Sequence, residues 1–182
     1  VSDILIKADI FEAASLCMSK NKIRYYLEGI HLGGGRLTAT DGHRIFTADQ
    51  ETGEELIIPA WVVKIAMKDI KNAGSVILRG HELIVGDKGF WFTPIDAAYP
   101  DYKRAIPAEM GEEKAAHFDP KYYADLGKMA KILTGSTTGF DIKHNGEAPC
   151  GVLFGDREDC LAVIMPVRQN NRRVWKGLRT AP

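Results

Sequence analysis

The feature that most constrains this chain is an order of elements that recurs along it. Ile4, Leu5 and Ile6, within residues 3 to 8, predict a strand leading to Asp9, an N-cap for an amphipathic helix from Ile10 to about Ser19. The helix's apolar face is Ile10, Ala13, Ala14 and Cys17. Three strands follow over Ile23 to His31, Arg36 to Thr40 and Arg44 to Asp49, with turns at Gly33-Gly34-Gly35 and Asp41-Gly42. The pattern then restarts. Glu55 to Ile58 is extended, Pro59 opens a helix over Trp61 to Lys71, and Asn72-Ala73-Gly74 stops it. Ser75 to Leu78, Glu82 to Val85 and Gly89 to Thr93 are the next strands. A third copy begins at Ala115 and is capped at Asp119-Pro120, with a helix to about Leu133. Its strands lie near Thr138 to Lys143, Gly151 to Phe154 and Leu161 to Pro166.

One helix on a short sheet buries too little apolar surface to stand alone, so a repeated β-α-β-β-β unit predicts modules that stack and share a core. Residues 1–107 read as one domain of two modules, 108–114 as a linker, 115–168 as a half domain of one module, and 169–182 as a basic tail. The fold class is therefore α+β. With 182 residues, 45% hydrophobic, the chain is long enough for one or two modest cores. No apolar run reaches the ~20 residues of a membrane span, and Val1-Ser2-Asp3 shows no basic segment followed by an apolar one, so the expected location is cytoplasmic. Cys17, Cys150 and Cys160 have no metal or disulfide spacing, and neither a metal nor a cofactor is expected. Lys and Arg together number 24, equal to Asp plus Glu, so any nucleic-acid contact must come from local clustering.

Four segments carry a family resemblance. They are Arg24-Tyr25-Tyr26-Leu27-Glu28-Gly29, Thr40-Asp41-Gly42-His43-Arg44-Ile45, Tyr99 to Pro107, and Ala162-Val163-Ile164-Met165-Pro166-Val167-Arg168. Taken in this order, with the repeated module, the sequence resembles the bacterial sliding clamp, the β subunit of DNA polymerase III. The resemblance implies a DNA-clamp fold in which residues 1–107 match the family's middle domain and the third module matches the second half of its last domain. The ring-closing surfaces of the family have no counterpart here, so a monomer is expected. It also implies a pocket, formed where those two parts meet, that captures linear motifs of DNA polymerase, the clamp loader and repair proteins. Carried over by position, that pocket comprises Arg24, Leu27, Thr40, Gly42, His43, Arg44, Ile45, Pro100, Arg104, Ala105, Tyr122, Val163, Ile164, Met165, Pro166, Val167 and Arg168. Asp119 stands where the family commonly has an amide, and Ala105 replaces a larger apolar residue.

The chemistry is sensible on its own terms. A peptide groove needs an apolar floor, which Leu27, Ile45, Ile164, Met165 and Pro166 can supply, and a polar rim such as Tyr122 and the arginines. Lys64, Lys68 and Lys71 fall at helical spacing opposite Val62, Val63, Ala66, Met67 and Ile70, and Lys121, Lys128 and Lys131 repeat the idea on the third helix. Such stripes suit non-specific contact with the phosphates of duplex DNA. The tail's Arg172, Arg173, Lys176 and Arg179, around Trp175, are a further possible phosphate contact. The expected function is thus a non-catalytic processivity or peptide-docking module. The alternative is a ring-less decoy or adaptor that competes for clamp partners. A remoter alternative is a phosphodiesterase-like enzyme using Asp41, His43 and Arg44, although metal-assisted phosphoryl chemistry calls for more convergent ligands than these.

Overall fold

A computed structural model describes residues 3–107, 117–135 and 139–167, with the Lys71 side chain left aside. The first module contains β1 (Ile4–Lys7), α1 (Ala8–Ser15), a 3-10 helix (Lys22–Leu27), β2 (Gly29–Gly33), β3 (Arg36–Thr40) and β4 (Arg44–Asp49). The second contains β5 (Leu56–Pro59), α2 (Ala60–Ala66), a 3-10 turn (Ile70–Asn72), β6 (Ser75–Arg79), β7 (Glu82–Val85) and β8 (Lys88–Trp91). After a 3-10 turn at Tyr102–Ala105 come α3 (Pro120–Thr134), β9 (Asp141–Lys143), β10 (Cys150–Leu153) and β11 (Cys160–Ile164).

The strand order explains why the modules cannot be separated. One sheet runs β1-β6-β7-β8 and the other β5-β2-β3-β4-β11-β10-β9. Each of the first two modules lends its opening strand to the sheet of the other, so neither sheet is complete within one module. The third module extends the larger sheet: β11 lies antiparallel to β4, with Ile45 opposite Val163 and Phe46 opposite Ala162. The opening strand expected near Ala115 falls outside the described residues. What is described is His117, whose carbonyl accepts a 2.7 Å hydrogen bond from the Val167 amide.

Alternation along the strands aims one set of side chains at the helices. Phe11 of α1, Phe46 of β4 and Phe154, the residue after β10, are fully buried. Leu126, Met129, Ala130 and Leu133 of α3 join the same apolar cluster as Ile10, Ala13 and Ala14 of α1. At ~1.5–3 kcal/mol per large side chain removed from water, this shared core contributes to holding the third module in place. α3 itself starts and stops where its sequence says. The Asp119 carboxylate accepts from the Lys121 amide at 3.0 Å, Pro120 occupies the first turn, and Gly135 closes the helix at φ 68° with its N–H on the Lys131 carbonyl.

Three expectations need correction. The strand read over Ile23 to His31 is a 3-10 helix over Lys22–Leu27 followed by a strand over Gly29–Gly33. The Asn21 side chain caps the Ile23 amide and the Ser19 amide bonds the Leu27 carbonyl, so the segment curls and leaves Ile23 and Tyr25 in solvent. The first helix ends at Ser15, with i to i−3 bonds from Leu16 and Cys17, and its cap is Lys7. Asp9 instead sits inside the first turn and pairs with Arg157. The second helix ends at Ala66. The bonds from Lys68 to Ile65 and from Asp69 to Ala66 tighten the chain there, and that turns Ile70 into the core.

Candidate functional site

Thr40 of β3, Ile45 of β4 and Val163 of β11 lie side by side across three strands, because Thr40 pairs with Ile45 and Ile45 with Val163. This row faces away from the main core and joins Tyr102 in a small apolar cluster of its own. Leu27, at the end of the 3-10 helix, and Pro100, Tyr102 and Ala105 complete the lining around the row. Met165, held by its amide to the His43 carbonyl at 2.9 Å, forms a half-exposed lip. The result is a cleft of ≈ 290 Å3 lined by residues from the first and third modules and from the segment between them.

The turn joining β3 to β4 is built by its own side chains. The Thr40 hydroxyl donates to the Arg44 carbonyl at 2.7 Å and accepts from the Gly42 amide, while Asp41 accepts from the amides of His43 and Arg44. Gly42 has φ +89°, and a Cβ there would stand 2.7 Å from Nη1 of Arg24, so the glycine both permits the turn and lets the Arg24 guanidinium lie across it.

Arg24 and Arg44 also border a second, wider groove of ≈ 720 Å3, whose other side is the α3 face carrying Lys121, Tyr122, Asp125 and Lys128. Arg44 is 7% exposed and acts as a fastener between modules. Its guanidinium donates to Asp41 Oδ2 at 3.2 Å, to Asp125 Oδ2 of α3 at 2.5 Å and to the Leu16 carbonyl at 2.6 Å, and lies 4.7 Å from the Tyr122 ring centroid. Burial works against the Asp125 carboxylate, but Lys128 and Arg44 outweigh it and hold its pKa below the ordinary value. Beneath this network, burial pushes the Cys17 thiol up to about 12, so it is a neutral filler rather than a nucleophile.

Ten of the seventeen expected pocket residues line the apolar cleft: Arg24, Leu27, Thr40, Gly42, Arg44, Ile45, Pro100, Ala105, Val163 and Met165. His43 and Tyr122 line the neighbouring groove instead, stacked on each other at 5.8 Å. Ile164 does not line either one. It follows Val163 on a strand, points to the opposite face and belongs to the main core. Arg104 extends into solvent, 87% exposed, and pairs with Asp101 at 3.0 Å. Pro166 and Val167 lie outside both linings, and Arg168 and the basic tail fall outside the described residues. Tyr26, Asp101 and Tyr102 line the cleft and were missed. Tyr102 lies within the Tyr99 to Pro107 segment, and its being an aromatic residue between Asp101 and Lys103 is the sequence signal for it.

The phosphodiesterase-like reading of Asp41, His43 and Arg44 finds no support in the geometry. The Asp41 carboxylate is engaged by two backbone amides and Arg44, and the His43 ring lies against Tyr122. Among the described residues no group of three His, Cys, Asp or Glu side chains is placed to hold a metal. The expected lysine stripes are only partly formed. Lys64 is on α2, but Lys68 lies in the turn after it and Lys71 in the following 3-10 turn. On α3, Lys121 pairs with Asp119 at 3.3 Å and Lys128 with Asp125 at 2.6 Å, while Lys131 is exposed. No described helix is long and apolar enough to cross a membrane.

No family model matches the chain. The β sliding clamp of Pseudomonas putida KT2440 is 30% identical over 113 residues, 54% of this chain and 31% of that protein. The β sliding clamp of Pseudomonas aeruginosa PAO1 is 28% identical over 140 residues, 69% of this chain and 38% of that protein. Among solved structures, the DNA polymerase III subunit β clamp of Bartonella birtlesii, bound to griselimycin, superposes with a TM-score of 0.74 at 18% identity, covering 92% of this chain and 66% of the clamp. The Thermotoga maritima β subunit gives 0.68 at 19% identity, covering 92% and 65%. The chain spans about a third of the length of the curated relatives it matches, 31% for the Pseudomonas putida clamp. With the modules, the strand order and the match in hand, the chain has the DNA-clamp fold and is similar in sequence, over part of its length, to bacterial β sliding clamps.

Proposed function

We propose that the chain is a non-catalytic docking module of the sliding-clamp type, whose apolar cleft receives a short linear motif from a DNA polymerase, clamp loader or repair protein. The observation that carries this reading is the pairing of Ile45 with Val163, which brings walls from two distant parts of the chain to one floor. An extended peptide needs apolar recesses for its anchors and polar groups at their rim. Leu27, Ile45, Val163 and Tyr102 offer the first, and Arg24, whose guanidinium enters no ion pair with a described residue, offers the second. Met165, unbranched and half-exposed, can adapt to more than one anchor.

Duplex DNA is the second ligand of this reading. Lys64, Lys68 and Lys131 are exposed and make no ion pair with a described residue, so they are the cations left to meet phosphates, whereas Lys121 and Lys128 are already paired. The adaptor version, which competes with a complete clamp for its partners, is favoured by one fact of spacing. Residues 108–116 are all that separates the second module from the third, too few for another module of ~50 residues.

Calorimetric titration with a peptide bearing a clamp-binding motif tests the cleft. Met165→Glu places an unpaired charge at an apolar lip, which costs several kcal/mol and weakens binding by roughly 100-fold or more. Lys143→Glu, on the far strand β9, leaves affinity unchanged. Equal affinities for the two variants, or no binding by the parent chain, would refute the docking role.

A further inference from the structure

The outer face of the larger sheet carries more than the cleft. Two residues along from the row of Thr40, Ile45 and Val163, and therefore on the same face, His31 pairs with Thr38 and Thr38 with Thr47, while Ile57 of β5 stands opposite His31 on its other side. His31, Thr38 and Thr47 are buried although polar. Tyr99 covers His31, the two rings stacked with centroids 4.4 Å apart, and also packs against the apolar cluster of the cleft. On the His31 side of Tyr99 lies a separate groove of ≈ 520 Å3, bounded by β5, the turn at His81 and residues 94–98, which shares no lining residue with the cleft.

This groove carries charge of one sign. Glu54, Glu55 and Asp96 stand exposed in its lining, which includes no lysine or arginine. Glu54 and Asp96 enter no ion pair with a described residue, and Glu55 pairs with His31 alone, its Oε1 lying 2.9 Å from Nε2. His31 is 5% exposed. Gly33 lets its ring lie there, since a Cβ at that glycine would stand 2.9 Å from Cε1 of His31. With the Nε2 proton given to the carboxylate, Nδ1 of the same ring is left as an acceptor, and it is buried without a hydrogen-bond partner. Carboxylates and imidazole together make a site rich in acceptors and short of donors.

We infer that this groove is a binding site for a basic side chain, arginine or lysine, presented by a linear segment of a partner protein. Three carboxylates without a neighbouring cation repel an anionic ligand and attract a positive one. A metal ion does not fit, because no group of three His, Cys, Asp or Glu side chains among the described residues is placed to hold one. The acceptors are spread along the groove, so the ligand that suits them spends several N–H donors at once. A guanidinium has five in a fixed plane and an ammonium three. Pro94, Ile95 and Ala98 give the apolar stem of such a side chain a wall to lie on. Glu55, whose side chain is 72% exposed, is free to turn toward the incoming cation. The assignment does not depend on the docking cleft, whose residues are different ones.

Titration of the full chain with tri-arginine amide, up to about 2 mM at low salt and followed by NMR and calorimetry, is the test. The His31 ring and the amides of Asp96, Ala97 and Ala98 shift with the peptide in a saturable way, while the amide of Ile142 on β9 does not. Glu54→Gln together with Asp96→Asn, two exposed and unpaired groups, weakens binding roughly 5-fold or more at an unchanged melting temperature. Asp156→Asn with Glu158→Gln removes the same charge from an exposed surface outside the groove and leaves the affinity within about 1.5-fold. The shift map of the parent is independent of any variant. No saturable binding, shifts that bypass His31 and residues 96–98, or equal losses in the two double variants would each overturn the assignment.

Discussion

Replacing Arg44 by methionine is the sharpest test of how the two walls of the cleft are held together. The substitution removes a guanidinium that bonds Asp41, Asp125 and the Leu16 carbonyl and keeps roughly the same apolar stem. Breaking a fully buried pair typically costs ~3–5 kcal/mol, because a charge is left without compensation. Here the penalty is smaller. The Asp41 and Asp125 side chains are 15% and 19% exposed, and Asp125 keeps Lys128 at 2.6 Å. The expectation is therefore ~2–3 kcal/mol, most of it from the Leu16 carbonyl and Asp41 losing their donor. For a chain of this length that corresponds to a fall in Tm of roughly 5–10 °C. A double-mutant cycle with Asp125→Asn isolates the link from the first module to α3 and should give a coupling of about 1–2 kcal/mol in urea denaturation. Lysine should not restore it, since an ammonium cannot bridge three acceptors in one plane. Arg104→Met, which removes an 87% exposed side chain, is the control and should cost under ~0.5 kcal/mol. A cost for Arg44→Met below ~1 kcal/mol, or a coupling near zero, would mean that the shared core and the β4–β11 pair hold the third module without Arg44.

Two further outcomes follow from other parts of the molecule. The hydrogen bond from Arg157 holds the Asp159 carboxyl at about 2, below its unfolded value of ~3.9, so its stabilising contribution is present above that unfolded value and is lost as pH falls toward 2. Thermal melts across pH should show Asp159→Asn less stable than the parent at neutral pH, with the gap closing in acid; a constant gap would refute the assignment. Changing Lys64 and Lys68 to glutamate should weaken duplex DNA binding more at low salt than at high salt and equally for all sequences, read by fluorescence anisotropy, and unchanged binding would reduce these lysines to a solvated surface.

The order of elements was legible because hydrophobic period, glycine turns and the Asp119-Pro120 cap are local signals. Glu82–Val85 and the limits of α3 came close to their observed bounds for that reason. Lys22–Leu27 was misread because Ile23, Tyr25 and Leu27 alternate like a strand, whereas only Leu27 is buried and the capping by Asn21 and Ser19 decides the conformation. The cleft was legible through the resemblance of its segments, not through hydropathy. Ile164 shows the limit of carrying residues over singly: period two forbids Val163 and Ile164 from sharing a face, and register alone says which one looks into the cleft. The role of Arg44 as a fastener was hidden as well, because its partner Asp125 lies far along the chain and no local pattern links them.

The joining of β4 to β11 has a kinetic consequence. Residue 45 must find residue 163 across about two thirds of the sequence, and closing so long a loop costs entropy before any strand contact repays it. The crossed β1 and β5 strands, by contrast, let the first two modules assemble from nearer segments. Folding should therefore show two phases, an early one completing the first two modules and a slower one in which β11 zips onto β4. During synthesis on the ribosome, β4 waits with its edge bare until Cys160–Ile164 emerges, and a chain halted before that point would expose a strand that other nascent chains could pair with.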